Sequence, residues 1–360
     1  MLLSAGMGEG HNGVAAELAR RLEARGHDVD VVDLWDLLPL RIGHLIEGFY
    51  RFTILYLPWL YEAIYRIWLA PKHPKPRRSS MVVRLAVPRV ERCIASRRPV
   101  AAVSTFHLSS QVLGEMRRAG KLHVPVTSVV VDFAAHSLWV HPDVDLHVCL
   151  HHTQVPRLQA SGATRVATPG PVVAPEFLSG RSRRADARAR FGLDDRDRVV
   201  LVVAGSWGAG RIVSTVRSIA ADGRFTPLVA CGHNTRLLRK IGRIEGALAL
   251  GWTSGMEQVF AASDVMVGNA GGLTAMEAIA TGTPVVSYKP IPGHGRDNVK
   301  RMEEAGIIRY ARSRDQLLAL LDELTASPRN NEFDSVMREG AAMFRHDAAD
   351  DIAALRRVAA

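Results

Sequence analysis

The chain has 360 residues, 47% of them hydrophobic, and a mean hydropathy of +0.02. This composition excludes a disordered chain, and the length favours two domains over one hydrophobic core. The formal net charge is +10, and residues 41–98 hold twelve Arg or Lys against three Glu.

Cysteine spacing and hydropathy bear on the cellular compartment. Cys93, Cys149 and Cys231 lie far apart without metal-ligand spacing, which favours neither disulfides nor a zinc site. The sequence has no cleavable signal and no uncharged run of 18 residues. We therefore expect a cytoplasmic protein without a spanning segment.

Alternating strands and helices predict an α/β fold with two doubly wound parallel sheets. Strands are predicted at 2–5, 28–33, 100–105, 126–131 and 146–150, and then at 199–204, 226–231, 247–250, 265–268 and 284–288, with a first helix at 12–25. We expect an acceptor-binding domain over 1–170, a Pro- and Arg-rich linker over 171–198, and a donor-binding domain over 199–332. Terminal helices over 333–360 are predicted to return to the first domain.

The first loop, residues 4–11, joins the first strand to the first helix, where an open α/β sheet places its ligand. Gly8 and Gly10 have no side chains, so an acceptor can approach the backbone closely. His11 follows at the helix entrance and is suited to general base catalysis on a hydroxyl. Asp33 leaves a dinucleotide-binding alternative open, although the glycine spacing differs from that motif.

The aromatic segment 43–76 holds eight of the chain's 22 aromatic residues within residues 49–68. An aromatic amphipathic helix beside a basic run is typical of the surface of an anionic membrane. The alternative is a core helix beside a solvated charge run. No nucleic-acid partner is expected, because no RNA- or DNA-binding module is present. Candidate acceptor or membrane contacts are Gly8, Gly10, Tyr56, Trp59, Tyr61, Tyr65, Trp68, Arg77 and Arg78.

Asp132 ends an apolar strand at the same sheet edge as His11. It is a second candidate catalytic residue, which could orient His11 or the acceptor. Alternatively, Asp132 caps the turn that follows it.

The most informative motif is residues 269–277, where an apolar strand ends in paired glycines and a helix start. Free N–H groups and a helix dipole then face one point, which predicts a diphosphate site, with Glu277 on the ribose hydroxyls. A packing turn is the alternative. Other loops after strands add candidates for the diphosphate, the base and the sugar. The donor-binding candidates are Gly205, Ser206, Gly251, Thr253, Met256, Asn269, Gly271, Gly272, Leu273, Thr274, Glu277, Pro292, Gly293, His294 and Asn298.

In order and spacing, residues 4–11, 131–139, 170–177, 251–264 and 269–298 resemble the monogalactosyldiacylglycerol synthase and processive diacylglycerol glucosyltransferase group, of glycosyltransferase family 28 type. The resemblance implies a GT-B fold, with two Rossmann-like domains facing across a cleft. It implies a UDP-sugar donor in the second domain, with Gly271, Gly272 and Thr274 on the diphosphate and residues 251–256 on uracil. A lipid acceptor and an anionic membrane surface are the other implied partners, which would place the protein on the inner face of the cell membrane.

The resemblance implies inverting hexosyl transfer, with His11 as base and without a cofactor or metal. Asp28-Val29-Asp30 and Asp143-Val144-Asp145 spell Asp-x-Asp but fall in or beside predicted strands, so we do not assign them to a metal. Pro292-Gly293-His294-Gly295 stands where the family commonly has Pro-Gly-Gln-Glu, which leaves the donor sugar open. A soluble acceptor, a UDP-sugar 2-epimerase and a noncatalytic UDP-sugar-binding protein at the membrane surface are the alternatives.

Overall fold

A computed structural model describes residues 1–69, 80–179, 183–203, 205, 207–326 and 331–359. The chain forms two compact units, Met1–Val172 with Met343–Ala360, and Val173–Ala342. The predicted site residues Arg77, Arg78 and Ser206 lie outside the described residues.

Each unit contains a six-stranded sheet in which every paired strand is parallel. The first has the order β2-β1-β3-β4-β5-β6 and the second β12-β11-β10-β7-β8-β9. The strands are β1 Leu2–Ser4, β2 Val31–Asp33, β3 Ala102–Ser104, β4 Val126–Val129, β5 Leu146–Val148, β6 Val166–Ala167, β7 Val199–Val203, β8 Thr226–Ala230, β9 Leu248–Leu250, β10 Val265–Gly268, β11 Val285–Tyr288 and β12 Arg309–Ala311. The sequence did not predict β6 and β12, which are short.

The helices connect the strands and cover the sheets. They are α1 Glu9–Glu23, α2 Leu34–Leu37, α3 Ile42–Tyr56, α4 Pro58–Ile64, α5 Met81–Arg97, α6 His107–Arg118, α7 Val155–Ala160, α8 Pro175–Leu178, α9 Arg184–Arg190, α10 Ile212–Ala220, α11 Thr235–Ile241, α12 Met256–Ala262, α13 Leu273–Ala280, α14 His294–Glu304, α15 Arg314–Thr325, α16 Asn331–Ala341 and α17 Ala348–Ala359. Among the described residues, no helix combines the length and the apolar character that crossing a bilayer would need.

The central strands are apolar on both faces, as parallel strands covered by helices require. In the first unit, Leu3, Phe106 and Trp35 lie in one buried cluster. In the second unit, Val200 and Val267 pack with Leu321 of α15. These cores fix the carboxyl ends of the strands, where the candidate site residues lie.

The predicted linker differs from the structure, because residues 173–198 belong to the second unit and include α8 and α9. Arg188 is buried and donates to Asp264 Oδ2 at 2.9 Å. The same oxygen also accepts from the N–H of Val199 at 2.8 Å. Arg184 and Arg188, which suggested a solvated linker, therefore pair with the carboxylate that precedes β10.

The terminal segment divides between the two units. Residues 343–360 belong to the first unit, whereas α16 belongs to the second. The segment that begins α17 is held on α1 by ion pairs from Arg21 to Asp347 at 3.0 Å and from Arg25 to Asp350 at 2.8 Å.

Candidate active site

The first candidate site lies at the carboxyl ends of β1, β3 and β4. Gly8 precedes α1 with φ of 88°, in the region that favours glycine, and provides no side-chain cap. Gly10 and His11 lie in the first turn of α1. The described structure therefore places His11 at the start of a helix of the first unit, beside the end of β3.

His11 is oriented by a backbone carbonyl. Its Nδ1 lies 2.9 Å from the oxygen of Thr105, the residue that follows β3. Because a carbonyl only accepts, the neutral imidazole carries its proton on Nδ1 and keeps its lone pair on Nε2. This tautomer is the one that a general base acting through Nε2 requires. The sequence missed Thr105, whose only signal was its position after a buried strand.

Two aromatic rings pack against His11. The Phe106 ring lies 5.2 Å away edge-to-face, and the Trp139 ring lies 6.0 Å away. His107 and His136 also contact the Trp139 ring, at 5.8 and 6.3 Å. The sequence analysis did not single out His107, although it is the first residue of α6 at the same sheet edge.

Asp132 lies beside this cluster. Its Oδ2 accepts a hydrogen bond from Trp139 Nε1 at 3.2 Å. The Trp139 side chain therefore contacts both this carboxylate and the His11 ring, and His11 Nδ1 is bonded to Thr105.

The carboxylate of Asp33 is held by the backbone. It accepts from the N–H groups of Gly6 at 2.9 Å and Trp35 at 2.8 Å. Burial raises the pKa of Asp33. The dinucleotide alternative depended on this carboxylate, and the two backbone bonds engage both of its oxygens.

The aromatic segment has an outer apolar face. Leu45, Phe49, Phe52 and Tyr56 recur at helical spacing on α3, and each is 49–69% exposed. Trp59 of α4 and the following Ile67 and Trp68 are also exposed.

The prediction that Tyr61 and Tyr65 contact the acceptor or the membrane is wrong, because they are only 3% and 2% exposed. Their rings lie 6.2 Å apart, and the Tyr50 ring meets Tyr61 edge-to-face at 5.3 Å. Burial, with a contribution from the charge of Asp132, raises the pKa of both Tyr50 and Tyr61. These tyrosines pack inward because α3 and α4 bury one face, so the core alternative is correct for them.

The second candidate site lies where the strand order of the second sheet reverses, between β7 and β10. Ligands of open α/β sheets bind at the carboxyl ends of the strands at this point. Hydrogen bonds join the loops there. Asn269 donates to Ala209 at 2.9 Å and accepts from the N–H of Ile291 at 2.8 Å, and Asn234 donates to Trp207 at 3.2 Å.

The paired glycines after β10 have different surroundings. Gly271 has φ of 65°, and a Cβ there would lie 3.0 Å from the sulfur of Met302 and 3.3 Å from the Cβ of Asn298. A Cβ on Gly272 would meet nothing within 4 Å. Gly272 precedes α13 without a side-chain cap, so the N–H groups of Leu273 and Thr274 start the helix unprotected by a capping side chain. This geometry suits an anion.

Glu277 lies one turn into α13 and is partly buried. Burial raises its pKa to about 7. Within the described part of the chain, its carboxylate makes no hydrogen bond or ion pair. A half-buried carboxylate without a protein partner is suited to accept hydrogen bonds from ligand hydroxyls.

The loop 290–298 follows β11. Pro292 and Gly293 form the turn, Gly293 has φ of 69°, and His294 begins α14. A Cβ on Gly295 would lie 2.3 Å from Ile291 Cγ1, so a side chain at this position would require Ile291 to shift. Asn298 is 1% exposed beside Gly271.

The remaining donor candidates line the same edge. Gly205 has φ of 63° in the loop after β7. Gly251 follows β9, the Thr253 hydroxyl accepts from the Gly255 N–H at 3.1 Å, and Met256 begins α12. Trp252 stacks on His233 at 4.0 Å. The sequence missed His233, which follows β8 next to a glycine.

Neither acid of Asp143-Val144-Asp145 lies at this edge. Asp145 pairs with Arg117 at 2.6 Å and Asp143 with Arg118 at 3.0 Å, both on α6 of the first unit.

The fold has known structural counterparts. MurG of Acinetobacter baumannii aligns with a TM-score of 0.60 at 15% identity, covering 99% of each chain. The calicheamicin glycosyltransferase CalG4 aligns with a TM-score of 0.64 at 16% identity, over 100% of this chain and 98% of that one. A Medicago truncatula protein, solved in complex with UDP-glucose, gives 0.62 at 13% identity over 99% and 97%. The fold is GT-B, as predicted.

The family assignment follows from the sequence comparisons. Residues 11–173 match the monogalactosyldiacylglycerol (MGDG) synthase family, and residues 199–352 match the glycosyltransferase family 28 C-terminal domain. The processive diacylglycerol beta-glucosyltransferase of Bacillus pumilus is 25% identical over 85% of this chain and 81% of its own length. That of Bacillus subtilis is 24% identical over 91% and 86%. The chain is therefore a glycosyltransferase that joins these two family domains, which confirms the resemblance.

Proposed function

We propose that this enzyme moves a hexose from a UDP-sugar to a hydroxyl of a diacylglycerol-type lipid, with inversion at the anomeric carbon. The Bacillus relatives are named as diacylglycerol beta-glucosyltransferases, and the Medicago truncatula neighbour holds UDP-glucose. The observation that supports the proposal most directly is the His11 Nδ1 contact with the Thr105 carbonyl at 2.9 Å. It leaves Nε2 as a base in a family of transferases.

In this mechanism, His11 Nε2 takes the proton of the acceptor hydroxyl as its oxygen attacks the anomeric carbon. The bond from that carbon to the phosphate oxygen breaks, and UDP leaves. The N–H groups at the start of α13 stabilise the charge that develops on the diphosphate. Glu277 accepts hydrogen bonds from the ribose. A single displacement from the opposite side inverts the anomeric configuration.

The exposed face of α3 supports a lipid acceptor. Four apolar side chains in one stripe, with Trp59 and Trp68 also exposed, exceed what scattered surface residues explain. Arg41, Arg51 and Arg66 lie on or beside the same helices. Aromatic rings with neighbouring arginines suit the headgroup layer of an anionic membrane. We propose that the protein docks there, peripherally, on the cytoplasmic leaflet.

The products test the reaction. The protein is incubated with a panel of UDP-sugars and diacylglycerol in vesicles, and the products are analysed by mass spectrometry and by NMR of the anomeric proton. We expect a β-hexosyl lipid from an α-linked donor. Transfer only to water-soluble alcohols would indicate a soluble acceptor, and a changed UDP-sugar without transfer would indicate an epimerase. Either result would contradict the proposal.

The docking surface is tested separately by co-sedimentation with anionic vesicles. The double variant Phe49→Ser/Phe52→Ser should pellet less than wild type, because it removes two rings from the stripe. Leu178→Ser is the control, since Leu178 is similarly exposed but lies in the second unit. Equal pelleting of all three proteins would remove the membrane-docking proposal without affecting the transfer reaction.

A further inference from the structure

We propose that Trp139 is a positioning residue for His11, and that Asp132 acts on the base through the Trp139 indole. This inference rests on the proposed role of His11 as general base. It differs from the sequence-based hypothesis, in which Asp132 contacts His11 or the acceptor directly.

Trp139 connects the two groups in space. Its side chain is 0% exposed, its ring lies 6.0 Å from the His11 ring at 31°, and its Nε1 donates to Asp132 Oδ2 at 3.2 Å. A hydrogen bond to a carboxylate is stronger than one to a neutral acceptor. The carboxylate therefore fixes the rotation of the indole, and the indole face limits the rotation of His11.

Two buried glutamines hold the segments that carry this pair. Gln111 Nε2 donates to the carbonyls of Leu138 and Val140, both at 2.9 Å, on either side of Trp139. Gln154 Nε2 donates to the carbonyls of Asp132 at 2.9 Å and Phe133 at 3.0 Å.

Further bonds complete these supports. Ser128 Oγ donates to the Trp139 carbonyl at 3.1 Å, and Gln154 Oε1 accepts from the N–H of Leu150 at 2.9 Å. Both ends of the indole-to-carboxylate bond are thus attached to the sheet. Such support is what a base needs if its lone pair is to stay aligned with an acceptor hydroxyl.

The first test compares two tryptophans. Trp139→Phe keeps a ring but removes the N–H. Trp35→Phe is the matched control, because Trp35 is 1% exposed in the same unit and its Nε1 has no hydrogen-bond partner among the described residues. We expect Trp139→Phe to lower kcat about tenfold, with donor and acceptor KM, and UDP affinity, within about twofold of wild type.

Both variants should lose similar thermal stability, since each truncates a buried indole. Trp35→Phe should keep the wild-type kcat. Equal kcat values for the two variants would overturn the proposal, because the loss would then reflect packing alone.

The second test separates indirect from direct action of Asp132. The Asp132→Asn side chain retains an oxygen that can accept from the indole, whereas Asp132→Ala retains none. We expect Asp132→Asn to keep kcat within about threefold of wild type, and Asp132→Ala to lose about tenfold. The double variant Trp139→Phe/Asp132→Ala should be no slower than either single variant, because both remove one interaction.

If Asp132→Asn is as slow as Asp132→Ala, the charge acts directly and the inference fails. His11→Ala identifies the other possible failure. If that variant keeps full activity, both the base assignment and this inference are wrong. If His11→Ala is inactive but Trp139→Phe has the same kcat as Trp35→Phe, only the inference about Trp139 is wrong.

Discussion

The two sheets share a doubly wound parallel topology, but their carboxyl edges offer different chemistry. In the second unit, glycines with unusual backbone angles and an uncapped helix start present N–H groups. In the first unit, the edge is built from imidazole and indole rings of His11, Trp139 and their neighbours. One edge offers main-chain donors for a phosphate, and the other offers side chains that can move a proton.

This difference separates two kinds of molecular recognition. Backbone N–H groups bind a charge that is present in every nucleotide donor, so their positions depend on a short local motif. A base must meet one particular hydroxyl, and the ring of His11, the proposed base, contacts residues distant in sequence, such as Thr105 and Trp139. Substitutions on the two edges should therefore affect different kinetic constants.

The largest expected effect is on the first edge. His11→Ala should lower kcat at least about tenfold, because the acceptor hydroxyl loses its base, while UDP affinity stays nearly unchanged. Steady-state kinetics and calorimetry with UDP measure the two quantities. His123→Ala, an exposed histidine of the same unit, is the control. Full turnover by the His11 variant would exclude it as the base.

A smaller effect is expected on the second edge. The Gly272→Ala methyl would project into open space, so the fold should persist, but it would occupy space beside the N–H groups of Leu273 and Thr274. We expect UDP to bind about tenfold more weakly with an unchanged melting temperature. Gly246→Ala is the control. It also adds a methyl group to a glycine, at a position where φ is 73° and a side chain is strained, but Gly246 does not lie at this edge. Unaltered UDP binding by Gly272→Ala would place the diphosphate elsewhere.

The smallest effect concerns Glu277, the carboxylate of the second edge. Because its pKa is raised to about 7, it is protonated below that pH and becomes a full acceptor above it. Between about pH 6 and about pH 8, UDP affinity of the wild type should rise roughly threefold more than that of Glu277→Gln. Glu245→Gln, which changes an exposed residue, should show the same pH dependence of UDP affinity as wild type. Parallel pH curves for Glu277→Gln and wild type would contradict a ribose contact.

The sequence predicted the second edge better than the first for a physical reason. A glycine pair after an apolar strand has few structural solutions, so residues 269–277 indicated the strand, the turn and the helix start together. The hydrogen bonds from Asn269 to Ala209 and from Ile291 to Asn269 could not be predicted, because they join separate loops.

On the first edge, composition predicted the residues but not their orientation. The aromatic segment could face a membrane or a core, and the structure divides it, with Phe49 and Phe52 outward and Tyr61 and Tyr65 inward. Helical periodicity alone cannot decide this when both faces carry large rings. The contact between Asp132 and Trp139 likewise depends on a fold-back after β4 that no local pattern encodes.

The path of the chain has a consequence for how the protein is made. Residues 173–342 form the second unit, and the chain then returns so that Asp347 and Asp350 reach Arg21 and Arg25 on α1. A ribosome delivers α1 hundreds of residues before its ionic partners. The helix that presents His11 must therefore wait, with one flank uncovered, until the whole intervening unit has been synthesised.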